Sequence, residues 1–263
     1  VAKCSCLRRL HYLYPVPFIP ELEDQPWFPQ WMRRQQMEFI GFVVSAFGLY
    51  KPVIPLLTDM LQNADSQHIT DCCSGSGGPM LYLAKRLPTH ARITLTDLYP
   101  QAIAQLPNNV QYHNAPLNLL TEALPNSGIV TMCNAFHHFS PAAQTGFLKK
   151  MAYQHGPVLV VEILQPNLLC ALKILFTTTI GQFLLAPFVK PFSPKRLLFT
   201  YIIPLNLFTI TWDGLASVAK SASFAYLQKL AKACSTTSYQ FTCYRLGSLL
   251  SPLYVVHGAP IKS

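Results

Sequence analysis

Acidic residues are scarce. The chain of 263 residues holds 11 Asp and Glu against 20 Lys and Arg, and only 12% of it is charged, about half the usual share for a soluble domain. The shortage is uneven. Residues 164–263 carry nine Lys and Arg and a single acid, Asp213, whereas residues 1–163 carry 11 basic and 10 acidic side chains. The basic excess therefore belongs to the C-terminal part, where it either attracts phosphate-bearing partners (nucleic acid or an anionic membrane surface) or serves solubility. Also missing is any CxxC pair. The eight cysteines, Cys4, Cys6, Cys72, Cys73, Cys133, Cys170, Cys234 and Cys243, lack the spacing of a zinc or redox site, and no metal is expected. Cys72, Cys133 and Cys243 lie in apolar runs where a thiol behaves as a small hydrophobe. This usage reads as a reducing compartment without disulfides, hence a cytoplasmic location. The first residues, with Arg8 and Arg9, lack the long apolar run of a secretory signal. Neither an internal repeat nor a low-complexity tail is present.

Long apolar runs do occur later. Leu168 to Val189 is mostly apolar over 22 positions, long enough for a membrane-spanning helix, but Lys173, Gln182 and Pro187 interrupt it. A second run, Leu197 to Trp212, carries Pro204 and Asn206. A buried or surface-associated helical pair is the expectation here, rather than a span.

The rest of the chain alternates. Pro15, Pro17, Pro20 and Pro26 to Pro29 predict an extended arm, since proline blocks helix interiors. Helical spacing of Met37, Ile40, Val44 and Phe47 predicts a helix over Trp31–Phe47 that stops at Gly48, and Pro52 opens another running to Gln62. Strands are expected at Ile69–Cys73, Arg92–Thr96, Val110–His113, Gly128–Cys133 and Val158–Ile163, with helices at Met80–Leu87, Gln101–Leu106 and Pro141–Tyr153 between them. A helix at Phe224–Cys234 and strands at Tyr239–Arg245 and Pro252–His257 close the chain. Short strands alternating with helices imply a mostly parallel sheet covered on both faces.

Chemistry concentrates at strand ends. A strand entering Asp71-Cys72-Cys73-Ser74-Gly75-Ser76-Gly77-Gly78 and leaving as a helix turns backbone N–H groups toward a ligand above it. Asp97 ends the next strand, 22 residues after Gly75, the place from which a carboxylate holds ribose hydroxyls. A dinucleotide fingerprint would require a third glycine where Met80 stands. Asp71, Asp97 and Glu162 all fall at or near strand ends. A buried Asp71 must meet a cation or several hydrogen-bond donors.

These residues resemble a known family. Asp71 to Gly78 is similar to the first motif of class I S-adenosylmethionine-dependent methyltransferases, Thr96-Asp97-Leu98 to the second, and Asn134-Ala135-Phe136-His137-His138-Phe139 to the segment after the fourth strand in the small-molecule branch. The motifs cover about residues 50 to 163. A closer likeness, to bacterial members, rests on Trp27-Phe28-Pro29 and Trp212-Asp213-Gly214. The resemblance implies an α/β fold: a three-layer Rossmann-like sandwich with a mostly parallel seven-stranded sheet and an antiparallel C-terminal strand. N-terminal helices and a helical insert after the fifth strand are added to it. The expected division is an arm and helices (1–62), a cofactor-binding core (63–164), an apolar insert or lid (165–214) and a C-terminal helix with two strands (215–263). It also implies S-adenosylmethionine as cofactor. Asp71, Cys73, Gly75, Gly77 and Gly78 would line its methionine part, Asp97 its ribose, Leu98 its adenine, and Asn134 would sit beside the sulfonium. Asn118 and Leu119 would meet the adenine edge, with Asn114 as the alternative register.

For the acceptor step, His137 and His138 are the candidate general bases, because imidazole titrates near neutral pH, and Glu162 follows. Packing roles for the histidines and a backbone-acceptor role for Glu162 remain alternatives. The aromatic insert is expected to act as a lid over a small, apolar or lipid-like acceptor. Lys190, Lys195 and Arg196 would hold its edge on an anionic membrane at the cytoplasmic face. Asp213 is expected to cap a helix starting near Leu215. Nucleic acid is the less expected partner, since Asn134-Ala135-Phe136 departs from the Asn-Pro-Pro-aromatic run of amine methylases. Nucleic-acid or protein methylation through the basic half, and a non-catalytic binding protein, stand as the competing functions.

Overall fold

The computed structural model describes residues 19–261 apart from 102, 104, 126, 127 and 155. Cys4, Cys6, Pro15 and Pro17 lie outside the described residues. Two helices come first, α1 (Gln30–Phe47) and α2 (Val53–Asn63), separated at Gly48, whose left-handed backbone ends α1. An alternating unit follows: β1 (His68–Cys72), α3 (Gly78–Ala84), β2 (Arg92–Thr96), β3 (Val110–Tyr112), β4 (Ile129–Cys133), α4 (Pro141–Gln154) and β5 (Val158–Glu162). The insert contains α5, a 21-residue helix from Leu168 to Phe188, then α6 (Pro194–Ile202) and α7 (Leu205–Lys220), bent 83° from each other. Next come α8 (Phe224–Cys234), β6 (Tyr239–Ser248) and β7 (Ser251–Pro260).

The seven strands form one sheet in the order β3-β2-β1-β4-β5-β7-β6. β7 runs antiparallel to both its neighbours, and the other pairings are parallel. Chain order reverses between β1 and β4, so the crevice that a doubly wound sheet offers to ligands opens there, above the carboxyl ends of the strands.

Period-two alternation builds the two cores. Val158 and Val160 of β5, Val130 and Met132 of β4 and Val256 of β7 pack with α4 and α8 residues such as Leu148 and Leu227. Leu159 and Val161, with Ile69, Ile93, Leu95 and Val255, face α1 to α3 through Val44, Leu57 and Leu83. Close approach of α1 to α3 needs two glycines. A Cβ placed on Gly78 would lie 2.8 Å from the Gly41 Cα.

Two local expectations fail. The described residues of 101–106 are not helical, because the window between Pro100 and Pro107 is too short to nucleate a helix. Asp213 caps nothing: α7 begins eight residues earlier, after Pro204, so Asp213 lies in its middle.

Gly78→Ala is expected to lower stability by about 1–3 kcal/mol, the usual cost of overpacking. Gly146→Ala, at an exposed helical position with no atom within 4 Å of the added Cβ, should raise it by about 0.5–1 kcal/mol. Thermal unfolding of the two variants reads the opposite signs.

Candidate active site

Above β1, the backbone turns through Cys73 (φ 56°) and Gly75 (φ 53°) before α3 starts. Positive φ is costly for a side chain with a Cβ, so Cys73 holds a strained conformation within this turn. Burial pushes the thiols of Cys72, Cys73 and Cys133 up, to about 12 for Cys72, which leaves no thiolate nucleophile here. Asp97 ties the turn to β2. One carboxylate oxygen accepts the Gly75 N–H at 2.7 Å and the other the Tyr99 N–H at 2.8 Å. Burial raises its pKa, opposed by those two hydrogen bonds. Leu98 beside it is 47% exposed, an apolar side chain facing the opening.

Asp71 is 2% exposed. Its carboxylate accepts hydroxyls from Thr131 (2.6 Å) and Ser74 (2.7 Å). Burial nevertheless pushes it up to about 6. Both oxygens are thus engaged by the chain's own hydroxyls, joining β1 to β4. Asn134, with φ 52°, ends β4. Its amide N–H donates to Val161 O at 2.7 Å and its side-chain oxygen accepts from Ile163 N at 3.3 Å, so it fastens β4 to the end of β5. Asn118 accepts the Leu120 N–H through its side chain (3.1 Å) and donates its own N–H to Glu122 (2.9 Å), a local turn. Leu119 is buried in the core with Val130, so only Asn118 of that pair lies toward the surface.

Three of the sequence candidates come together. Glu162, 1% exposed, ends β5. One of its oxygens accepts the Phe136 N–H at 2.8 Å, and the other lies 2.7 Å from Nδ1 of His137. His137 is 3% exposed, and its Nε2 is buried without a hydrogen-bond partner. A carboxylate on Nδ1 fixes the tautomer and leaves Nε2 as a proton acceptor. The His138 ring stacks on His137 with centroids 4.4 Å apart.

The arm supplies residues that the sequence analysis did not assign. Asp213, on α7, accepts the backbone N–H groups of Leu22 and Glu23, and Trp212 donates to Pro20 O at 3.0 Å. The clamped arm brings Glu21 and Asp24 to His138 Nδ1, at 3.6 Å and 3.0 Å, and Lys220 Nζ to Glu21 at 2.6 Å. Burial lowers the His138 imidazole, but the Asp24 hydrogen bond and the charges of Glu21, Asp24 and Glu23 outweigh it and raise it to about 9. Glu21, His137 and His138 hold ligand-type atoms within 4.8 Å of one another. The Lys220 ammonium already balances Glu21, so the cluster is matched by protons and lysine charge. The sequence signal near this arm was the Trp27-Phe28-Pro29 and Trp212-Asp213-Gly214 likeness, which does not reveal that Pro20, Leu22 and Glu23 meet Trp212 and Asp213.

The insert's aromatics are placed differently from the expectation. Phe176, Phe188 and Phe208 are 59–65% exposed and face outward instead of shaping an inward pocket. Arg196, expected at a charged edge, is 1% exposed and paired with Glu38. Its other partners are the carbonyls of Val189 and Pro191.

No family model and no curated protein sequence matches the chain. Solved structures do. The plantazolicin methyltransferase BpumL, determined in complex with SAH, aligns over 98% of this chain and 99% of its own at 9% identity and a TM-score of 0.60. Human N-acetylserotonin methyltransferase, in complex with SAM, aligns over 98% of this chain and 65% of its own at 12% identity and a TM-score of 0.50. The pyocyanin biosynthetic protein PhzM aligns over 82% of this chain at 15% identity and a TM-score of 0.48, and this chain spans 56% of PhzM's length. Identities this low speak to fold alone: the chain has the class I S-adenosylmethionine-dependent methyltransferase fold.

The His138 cluster makes stability depend on pH. The groups facing His138 are Asp24, Glu21, Glu23, His137 and, through the two acids, Lys220. A histidine raised from 6.5 to about 9 contributes stability that is complete below pH 6.5 and lost as pH rises through 9. Burial raises Glu23 from 4.5 to about 8 against the pull of His138, so its contribution is complete below pH 4.5 and is lost, with the same sign, as pH rises through 8. Denaturant unfolding should therefore give a stability that falls from pH 6.5 to 9, with a shallower fall in His138→Gln.

Proposed function

We propose that the chain transfers a methyl group from S-adenosylmethionine to a hydroxyl of a small, lipid-like acceptor. The observation that carries this reading is the Glu162–His137 pair at the carboxyl edge of the sheet, beside the glycine turn and Asp97.

The residues present fit the cofactor. Asp97, whose carboxylate oxygens each accept one backbone N–H and keep a further lone pair, offers that carboxylate to ribose hydroxyls, and the exposed Leu98 offers an apolar face to a base. Acids gather around the crevice, which suits a ligand cationic at both its sulfonium and its amine. When bound, S-adenosylmethionine supplies an electrophilic methyl group. The chain's part is to orient the acceptor and hold its proton. His137 Nε2 takes the proton of the attacking hydroxyl, and Glu162, on Nδ1, keeps the imidazole oriented and stabilises the resulting imidazolium. Asp71 and Asn134 act at one remove, bracing β1, β4 and β5 through the hydrogen bonds that fix the turn's floor.

The lipid-like character of the acceptor is supported by the outward apolar surface of the insert. Nucleic-acid or protein docking through the basic half is less favoured, because Arg196 is committed to Glu38, Lys220 to Glu21 and Lys173 to Leu250 O. Non-catalytic binding leaves the buried, unpartnered His137 Nε2 without a reason.

Calorimetry with S-adenosylmethionine tests the cofactor. Saturable binding that Asp97→Ala abolishes is expected, and no saturable binding to the unaltered chain would sink the proposal. Labelled methyl transfer into a total lipid and metabolite extract tests the chemistry. His137→Gln should lower kcat by about 10²–10⁴ fold while leaving cofactor affinity unchanged. An unchanged rate would remove the general base from the mechanism.

A further inference from the structure

The insert has its polarity inside out. On α5, Thr178 and Gln182 face the protein at 5% and 2% exposure, one and two turns along the row that begins at Ile174, while Leu172, Phe176, Phe183 and Phe188 face outward at 49–65%. The mean hydropathy of its most apolar window is 1.8, yet only 17% of that window is buried. The bent pair repeats the pattern. Thr200, Asn206 and Thr209 are turned inward at 1–5% exposure, while Ile202 and Phe208 are turned outward at 74% and 64%. Internal hydrogen bonds engage several of the inward groups: the Thr211 hydroxyl donates to Thr178 Oγ1 at 2.9 Å, and Asn206 Nδ2 donates to Gln35 Oε1 at 2.8 Å. A helix adapted to water presents the opposite faces, and an apolar patch this continuous marks a contact with an apolar phase.

Charge distinguishes the occupant. Residues 165–212 contain no Asp or Glu, and Lys190 and Lys195 are exposed where α5 gives way to α6. In a two-fold contact between copies, such a surface would meet its own positive charge, because the same patch is used on both sides. An anionic bilayer supplies the missing negative charge along with the apolar phase. The β6–β7 turn, with Leu249 98% and Leu250 70% exposed, is tied to α5 by Lys173 Nζ, which donates to Leu250 O and to Ser251 Oγ, and it adds to the same patch.

We propose that the insert is a monotopic membrane seat: the outward faces of α5 and of the α6–α7 pair, with the β6–β7 turn, sink into one leaflet of an anionic bilayer. The inward row of α5 stays on the domain from Cys170 to Ala186, both buried, so the helix lies along the membrane and does not cross it. This goes beyond the methyl-transfer reading and stands without it.

Flotation of the full chain with vesicles tests the seat. On phosphatidylcholine vesicles with about 30 mol% phosphatidylglycerol, the protein should float and stay bound at about 0.5 M salt, where surface electrostatics is screened. Partitioning onto phosphatidylcholine alone should be weaker. Phe176→Ser with Phe208→Ser alters two exposed positions and should leave the fold and cofactor affinity intact, while lowering vesicle partitioning at least tenfold. The seat is overturned if the unaltered chain fails to float, or if the double variant floats as well as the parent. It is equally overturned if light scattering in vesicle-free buffer shows a dimer that the double variant breaks while flotation is absent, because a second copy then covers the face. Cofactor titration of the same samples reads the methyl-transfer proposal separately.

Discussion

A carboxylate taken out of water must find donors or lose its charge, and this requirement shapes the functional half of the molecule. Asp71, Glu162 and Asp213 are 1–4% exposed, and each joins segments distant in sequence. Asp71 links the β1 turn to Thr131 on β4. Glu162 holds the Phe136 N–H and His137 from the end of β5. Asp213 clamps the N-terminal arm onto α7. A chain with few acids thus uses them where each fixes tertiary geometry. With Glu21, Glu23, Asp24 and Asp97, these make seven of the 11 acids gathered near the carboxyl edge of the sheet.

That concentration of negative charge has two effects. It adds to the effect of burial, which raises Asp71 and Asp213 to about 6, with Asp97 and Glu21 respectively pushing the same way. It also makes the crevice between β1 and β4 attractive to a cation. The Glu162–His137 pair lies along the same edge of the sheet. The arm completes the arrangement by laying Glu21 and Asp24 over the histidines, with Lys220 balancing the added charge.

The insert follows the opposite rule. Almost all its charge is basic, polar side chains such as Thr178, Thr200 and Asn206 are turned inside, and most of its large apolar side chains are left outside. The π-helical turns at Thr177–Gly181 and Leu198–Ile202 widen α5 and α6 at corresponding places, where Thr178 and Thr200 turn inward. The two regions therefore differ in kind: an acidic, hydrogen-bonded crevice at the carboxyl edge of the sheet, and an apolar surface bordered by lysines.

The sequence alone determined what depends on local pattern. Short, apolar, β-prone runs located five parallel strands to within a residue or two, the glycine turn and Asp97 were read at the strand ends where the structure joins them, and the acid scarcity flagged the C-terminal part. The helix assigned to Gln101–Leu106 fell because apolar periodicity over six residues does not outweigh nucleation between two prolines. Tertiary structure decided the rest. Periodicity states which residues share a face, but not whether that face meets the protein or the outside, so insert aromatics such as Phe176, Phe188 and Phe208 were expected to shape a pocket and lie outward. Asp213 reads locally as a cap, because side chains 190 residues apart leave no local trace of contact; only folding brings it to Leu22 and Glu23. His137 and Glu162 could each be named from sequence, but their pairing arises because β4 and β5 are neighbours in the sheet, and strand order is a property of the packed whole.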